Sequence, residues 1–207
     1  VIDACQRAGA PRLLQMSALN AGRGDSHYLR TRGAAEAAVQ ASGLRWTIFR
    51  PSVIFGRGDG LFCRFAELLT LSPVMPLAGA NARFQPVAVA AVAEAFARVL
   101  KRPDSIGQIY ELGGPEVVTL AEIVRRAAQW MGVRRLVLPM PNAVGWLQAA
   151  TFGLWPLANK PLSLDNFRSL AVDSVVDADD GLVRLGIDKT AMAQTVPNYL
   201  APRSTGG

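Results

Sequence analysis

The sequence has little cysteine, histidine or charge. Of its 207 residues, two are cysteine and one is histidine, so there is almost no material for a disulfide framework, a metal site or a Ser-His-Asp triad. Cys5 and Cys63 lie far apart and in no motif, which favours a reducing, cytoplasmic environment. Charged residues make up 18% and hydrophobic residues 50%. This composition is typical of a globular domain with a substantial core and excludes a disordered chain.

The basic residues are scattered. The net charge is +6, but no run of five or more basic residues occurs and no nucleic-acid-binding motif is visible. We therefore predict no nucleic-acid partner and favour an anionic cofactor or an acidic membrane surface. Residues 136–159 carry no charge and are numerous enough to span a bilayer. Prolines and glycines interrupt them, so we predict no transmembrane helix; peripheral association with the inner membrane stays open.

Apolar and polar residues alternate in a way that predicts strands separated by helices. Such an order is typical of βαβ units and a parallel sheet, so the predicted class is α/β, doubly wound, with a smaller mixed C-terminal lobe. We place the sheet-forming part at 1–102 and the lobe at 103–207. Strands are predicted at 12–19, at 45–56 with an interruption at Pro51, at 108–114 and at 135–139. Helices are predicted at 26–43 with Ser26 as N-cap, at 61–71, at 84–102 after an extended start, at 119–132 with a Thr119/Glu122 capping box, at 142–155 and at the end of 185–200.

Ser17, Tyr28 and Arg32 form the cluster with the clearest chemical meaning. Ser17 ends a predicted strand, and ligands of open parallel sheets bind beyond such strand ends. Tyr28 and Arg32 are four residues apart on one helix, so they share a face. A cation beside a tyrosine stabilises its phenolate, and a tyrosine so placed can exchange a proton with a substrate oxygen. A nearby serine hydroxyl can hold that oxygen.

This cluster resembles the Ser…Tyr-x-x-x-Lys active site of the short-chain dehydrogenase/reductases. The resemblance extends over nearly the whole chain to an atypical, epimerase/dehydratase-like branch, which includes the nucleotide-binding accessory subunit nine of respiratory complex I and bacterial relatives. The segments that carry it are YLRTRGAAEAAVQASGLRWTIFRPSVIFGRGD, RFQPVAVAAVAEAFARVL and YELGGPEVVTLAEIVRRAAQWMG.

The resemblance implies a Rossmann-type domain that binds NADP(H) or NAD(H), with NADPH favoured. It makes residues 1–102 the C-terminal part of that domain and residues 103–207 a substrate or partner lobe. Ser17, Tyr28 and Arg32 take the catalytic positions. The implied cofactor contacts are Met16, Ser17, Tyr28, Arg32, Pro51, Ser52, Val53 and Ile54, and the implied substrate contacts are Arg83, Phe84 and Gln85.

The sequence departs from the family pattern in three places. Arg32 replaces the usual lysine, and its guanidinium is larger, planar and differently hydrated. Ala91 replaces an acidic residue at a helix start, which removes a polar anchor. No glycine-rich phosphate-binding turn occurs. The resemblance therefore implies an N-terminally truncated sheet that lacks roughly 100 upstream residues, with an unpaired edge that favours aggregation.

The resemblance to the complex I branch implies a nucleotide held structurally, in a complex I or quinone-related assembly, and the Arg32 substitution fits that role. The implied partner is a respiratory-complex or quinone-biosynthesis protein. One alternative is a working oxidoreductase or epimerase that uses Tyr28 as acid and base. A second alternative is an NAD(P)H-sensing regulator that binds a partner protein.

Overall fold

The computed structural model describes residues 1–140, 164–177 and 179–200. Helices and strands alternate along this part of the chain, as the sequence predicts. The helices are α1 (Ile2–Arg7), α2 (His27–Gln40), α3 (Phe62–Leu71), α4 (Val89–Leu100), α5 (Leu120–Trp130), α6 (Leu164–Ser169), α7 (Gly181–Arg184), α8 (Met192–Thr195) and α9 (Pro197–Leu200). The strands are β1 (Leu13–Met16), β2 (Trp46–Pro51), β3 (Ile54–Phe55), β4 (Val74–Ala78), β5 (Arg83–Phe84), β6 (Val87–Ala88), β7 (Gln108–Leu112), β8 (Val118–Thr119) and β9 (Leu136–Met140).

A parallel three-stranded sheet organises the molecule, with the strand order β1-β2-β7. Parallel neighbours need crossover connections, and α2 provides the one between β1 and β2. Three two-stranded sheets surround it: β3 with β6 and β4 with β9 are parallel, whereas β5 with β8 is antiparallel. The predicted α/β class with a parallel sheet is therefore confirmed.

Two predicted helix starts have the expected caps. The Ser26 hydroxyl accepts a hydrogen bond from the Leu29 backbone N–H at 3.1 Å. Thr119 and Glu122 form a reciprocal capping box, in which Glu122 Oε2 accepts from the Thr119 N–H at 2.7 Å. At the start of α4, where Ala91 replaces an acid, the N-cap Ala88 makes no side-chain capping bond. That helix depends on its buried apolar face instead.

The predicted strand 45–56 is interrupted at Pro51, as expected, and forms two strands. Pro51 ends β2, since proline has no N–H to donate to a ladder. The chain then turns, and β3 pairs with β6 rather than with the central sheet. The helix predicted at 142–155 lies outside the described residues. Within the described ranges, no helix is long and apolar enough to cross a membrane.

One buried apolar cluster joins the sheet to the helices. Phe49 of β2 stacks on Phe96 of α4 with ring centroids 4.2 Å apart. Phe49 also stacks with Tyr110 of β7, with ring centroids 5.9 Å apart. The cluster continues to fully buried Ile123 of α5. It therefore includes residues from both sides of the predicted boundary at 102/103, and the division into two units stays a proposal.

Candidate functional site

A cavity of about 380 Å³ opens beyond the carboxyl ends of β1 and β2. This is where a parallel sheet of this kind binds ligands. All eight predicted cofactor contacts lie on its wall, together with Phe84. The eight are Met16, Ser17, Tyr28, Arg32, Pro51, Ser52, Val53 and Ile54. The sequence pattern and the fold therefore bring the same residues together, although their roles toward a ligand stay a prediction.

Ser17 is the buried polar group of this cavity that lacks a partner. It directly follows β1, and its backbone N–H donates to the Phe49 carbonyl at 2.7 Å, which fixes the position of the residue. The residue is only 4% exposed, yet its Oγ has no hydrogen-bond partner among the described residues. An unsatisfied buried hydroxyl is costly. A ligand oxygen or amide in the cavity would satisfy it.

Arg32 lies beside Tyr28, over the face of its ring. Its guanidinium carbon lies over the Tyr28 ring, 5.2 Å from the centroid. One guanidinium nitrogen, Nη1, donates to the Met16 carbonyl at 3.3 Å. The arginine thus joins the face of the tyrosine to the end of β1. The Tyr28 side chain is partly open, at 44% exposure.

Helix α2 is held in place by a residue distant in the sequence. Asp165 of α6 accepts hydrogen bonds from the backbone N–H groups of His27 at 2.5 Å and Tyr28 at 3.0 Å. Partial burial acts to raise the pKa of Asp165, but these two hydrogen bonds outweigh it and hold the pKa below its usual value. The carboxylate therefore fixes the turn of helix that carries Tyr28.

Gly33 allows the same helix to approach the loop after β1. A Cβ at Gly33 would lie 2.4 Å from the Gly22 Cα, a distance that no side chain tolerates. Because the two backbones are in contact, Arg32 can reach the Met16 carbonyl. Neither Asp165 nor this glycine contact was found from the sequence, since both depend on residues brought together by the fold.

A buried ion cluster fixes the other side of α2. Arg50 of β2 binds both carboxylate oxygens of Glu36, with the shortest distance 2.6 Å, and lies 3.6 Å from Glu111 of β7. Glu36 is 2% exposed. The hydrogen bonds to Glu36 raise the pKa of Arg50, and burial only partly opposes them. The cluster attaches the helix that bears Tyr28 and Arg32 to the strand that leads into Pro51.

Ser52 has a structural partner. Its Oγ donates to the Ser174 carbonyl at 2.7 Å and accepts from the Gln85 N–H at 3.2 Å. These contacts connect the end of β2 to two later segments. Ser52 thus shapes the wall of the cavity, while Ser17 supplies the free hydroxyl.

The three predicted substrate contacts separate in the structure. Phe84 lines the cavity. Arg83 instead forms an ion pair with Asp173 at 2.8 Å. The Gln85 amide donates to the Gly114 carbonyl at 2.8 Å and accepts from the Val176 N–H at 3.0 Å. Their roles toward a substrate stay a prediction.

A second cavity, of about 480 Å³, lies on the other side of Tyr28. It shares Tyr28, Val53, Phe84 and Ser169 with the first cavity. The tyrosine ring is therefore a wall of both spaces, and a molecule in one would lie next to a molecule in the other.

Comparison with known proteins identifies the fold and the ligand of this domain. A family model described as NAD(P)H-binding matches residues 1–63, the part that supplies Ser17, Tyr28, Arg32 and Pro51–Ile54. The chain is 34% identical over 183 residues to the mitochondrial NADH dehydrogenase [ubiquinone] 1 alpha subcomplex subunit 9 of Arabidopsis thaliana. That match covers 83% of this chain and 45% of the relative.

The chain thus carries an NAD(P)H-binding domain, matched over residues 1–63. The Rattus norvegicus subunit 9 is 29% identical, over 93% of this chain and 52% of the relative. The chain thus spans about half the length of these two curated relatives.

The structure resembles that of an Escherichia coli NADPH-dependent quinone oxidoreductase complexed with NADPH. The TM-score is 0.76 at 20% identity, over 97% of this chain and 69% of the other. This likeness confirms the Rossmann-type fold that the resemblance implied.

The Ser17 hydroxyl and the Pro51–Ile54 wall place a polar group beside an apolar surface, as a nicotinamide riboside requires. Within the described ranges, no glycine-rich phosphate-binding turn follows β1 or β2. That this cavity takes the nicotinamide end of the cofactor stays a prediction.

Proposed function

We propose that this protein holds NAD(P)H as a structural component of a respiratory-complex or quinone-related assembly. The observation that carries the proposal is the position of Arg32. Its guanidinium is committed to the Met16 carbonyl and to the face of the Tyr28 ring. A cation so placed stabilises the architecture of the cavity, because it cross-links α2 to β1, more than it prepares a phenol for repeated proton transfer.

Each residue has a binding role in this proposal. Ser17 donates its free hydroxyl to an oxygen of the nicotinamide ribose or amide. Arg32 packs on the Tyr28 ring, and Asp165 binds the Tyr28 backbone N–H. The Tyr28 hydroxyl binds the same ribose. Val53 and Ile54 form the apolar side on which the ring rests. The nicotinamide supplies a hydride when a substrate is present, and none of these binding roles requires that step.

The relatives support the proposal that this protein belongs to a respiratory complex at a membrane. The two mitochondrial proteins reported above are named as subunits of NADH dehydrogenase [ubiquinone]. By analogy, this protein attaches to a membrane-bound respiratory complex at the cytoplasmic side of the inner membrane. Its net charge of +6 suits an acidic surface. NADPH is the favoured nucleotide because the similar quinone oxidoreductase has NADPH bound.

Bound nucleotide after purification tests the proposal. The purified protein is passed through a desalting column, and the nucleotide released by denaturation is counted and identified. A structural cofactor remains at about one per chain and does not decline in absorbance when quinones, aldehydes or sugar nucleotides are added. Rapid oxidation of the nicotinamide by any of them would overturn the structural role.

A working oxidoreductase is the second candidate, and the cavity next to Tyr28 favours it. Tyr28 would then give a proton to a carbonyl oxygen held by Ser17. Arg32→Lys restores the family pattern, so this candidate predicts that the variant retains or gains turnover, with Tyr28→Phe as the inactive control. If neither wild type nor Arg32→Lys oxidises the nicotinamide with any carbonyl tested, the second candidate is excluded.

A further inference from the structure

We propose that the outward side of the β4/β9 sheet docks on a lipid bilayer that contains anionic lipids. This surface is called the docking face, and its residues are Leu71, Val74, Pro76, Leu136 and Leu138. The proposal rests on the proposed function in one respect, because that function places the protein at a membrane. It adds a direct contact with lipid and the residues that make this contact.

Strands β4 and β9 are apolar on both sides. Successive side chains of a strand point to opposite faces of the sheet. The parallel register pairs the outward residues with one another, Val74 with Leu136 and Pro76 with Leu138. The inward side chains are buried in the core; they are Met75, Leu77 and Val137. A sheet with one face in water ordinarily carries polar residues there, whereas parallel strands that are apolar on both sides are normally covered on both. The outward side therefore has the composition of a covered surface.

The docking face is open in the described part of the chain. Three of its strand residues are between 38% and 56% exposed; they are Val74, Leu138 and Leu136. Leu71 ends α3 and is 80% exposed. It lies next to the strands, because Nε of Arg135, just before β9, donates to the Leu69 carbonyl at 2.5 Å. A contiguous exposed apolar surface of this kind marks an interaction site.

Basic residues border the docking face, and the chain that forms it has no acidic residue. Arg134 and Arg135 directly precede β9, and Arg134 is exposed. Neither 68–93 nor 123–164 contains aspartate or glutamate. Anionic headgroups attract cations at the surface of a bilayer. Aliphatic side chains beside arginine therefore suit the boundary between headgroups and acyl chains.

The composition of the docking face also favours lipid over a protein partner. Protein interfaces are rich in aromatic side chains and carry about one hydrogen bond per 100–200 Å². The five residues of the docking face include no aromatic ring and no side chain that forms hydrogen bonds. Acyl chains require neither, so a bilayer loses nothing by contact with this surface.

Flotation with lipid vesicles tests the proposal, since vesicle-bound protein rises whereas aggregated protein sinks. The NADPH-loaded protein should float with vesicles of phosphatidylcholine and about 30% phosphatidylglycerol, and less with phosphatidylcholine alone. Bound NADPH is counted in the same fractions. Absence of flotation with both vesicles while NADPH is retained would overturn the docking face alone. Flotation of protein that has lost its NADPH would count against the proposed function and not against the docking face.

A matched pair of substitutions locates the contact. Leu136→Glu places a charge in the docking face, and partition into the mixed vesicles should fall at least about tenfold, because a charged group replaces a buried leucine. Leu100→Glu makes the same change at a residue that is 63% exposed at the end of α4, outside the docking face, and should float like wild type. Equal flotation of both variants would place the contact elsewhere and overturn the assignment.

Leu136→Ala/Leu138→Ala covers the case in which Leu136→Glu fails to fold, since it removes apolar surface without adding a charge. Its partition should also fall at least about tenfold. Arg134→Gln measures the electrostatic part, and binding to the mixed vesicles should fall about fivefold while binding to phosphatidylcholine alone stays the same. NADPH should stay bound in both variants. Undiminished flotation of the double variant would contradict the proposal.

Discussion

Replacing Arg50 with methionine removes the cation from a buried ion cluster and leaves two carboxylates behind. One of them, Glu36, has a side chain only 3% exposed, so it becomes a buried charge without its partner. Breaking a buried pair in this way costs about 3–5 kcal/mol. We expect a loss near about 4 kcal/mol in the free energy of unfolding, because water reaches Glu36 poorly.

The reverse change should cost less, and this asymmetry is the sharper test. In Glu36→Gln, the Arg50 guanidinium still has Glu111 at 3.6 Å as a counter-charge. The Arg50 side chain is also 21% exposed, so water reaches it. We expect about 2 kcal/mol. The double variant Glu36→Leu/Arg50→Met removes the buried pair and leaves only Glu111, whose side chain is 18% exposed and reached by water, so the variant should lie within about 1 kcal/mol of wild type.

Urea unfolding followed by circular dichroism measures these three variants and Glu36→Leu. The coupling energy follows from the double-mutant cycle of Glu36→Leu and Arg50→Met. Exposed ion pairs contribute only about 0–1 kcal/mol. If both single variants lost no more than that, the cluster would behave as a surface pair. The reasoning from burial would then be wrong.

Four further predictions concern other contacts. Ser17→Ala removes a buried hydroxyl that has no partner among the described residues. Without nucleotide, the variant should gain up to about 1 kcal/mol in the free energy of unfolding, whereas its affinity for NADPH should fall roughly tenfold. Thermal melting with and without NADPH measures both effects, and a loss of stability without ligand would contradict the prediction. Tyr199→Phe removes a hydrogen bond of 2.5 Å to Asp59 and should cost about 1.5 kcal/mol, because Asp59 keeps its backbone donors; an unchanged urea midpoint would argue against the contact. Hydrogen bonds from the backbone N–H and the side chain of Arg83 lower the pKa of Asp173. The stabilisation by this pair is therefore present above the usual carboxyl pKa and is lost as the pH falls through the lowered pKa. In Asp173→Asn, the free energy of unfolding should depend less on pH in this acidic range than it does in wild type. Strand β1 pairs with one neighbour in the described chain, so the 207-residue chain alone should self-associate in sedimentation experiments, and a monomer at high concentration would refute that.

The sequence predicted most elements of the fold because the signals for them are local. The caps at Ser26 and at Thr119 depend on residues three positions apart, and the structure has both. The interruption at Pro51 was predicted, but the pairing of β3 with β6 was not, because it involves residues more than 30 positions apart. Periodicity reports which residues are apolar, but it does not report which strand accepts them as a neighbour.

The candidate site was predictable as a set of residues but not as a geometry. Spacing placed Tyr28 and Arg32 on one helical face, which the structure confirms. It placed a cation beside the tyrosine, and the structure adds that the guanidinium lies over the ring and binds the Met16 carbonyl. That orientation depends on the close contact between Gly22 and Gly33, which no local pattern specifies.

Helix α2 shows why the site depends on the whole described chain. Asp165 binds its first turn, Arg32 joins its middle to β1, and Glu36 attaches it to β2 through Arg50. Each contact reaches a different segment, and Asp165 lies more than 130 positions from Tyr28 in the sequence. A change in the segment that carries Asp165 would therefore move Tyr28 with respect to both cavities, even though that segment contributes nothing to the central sheet.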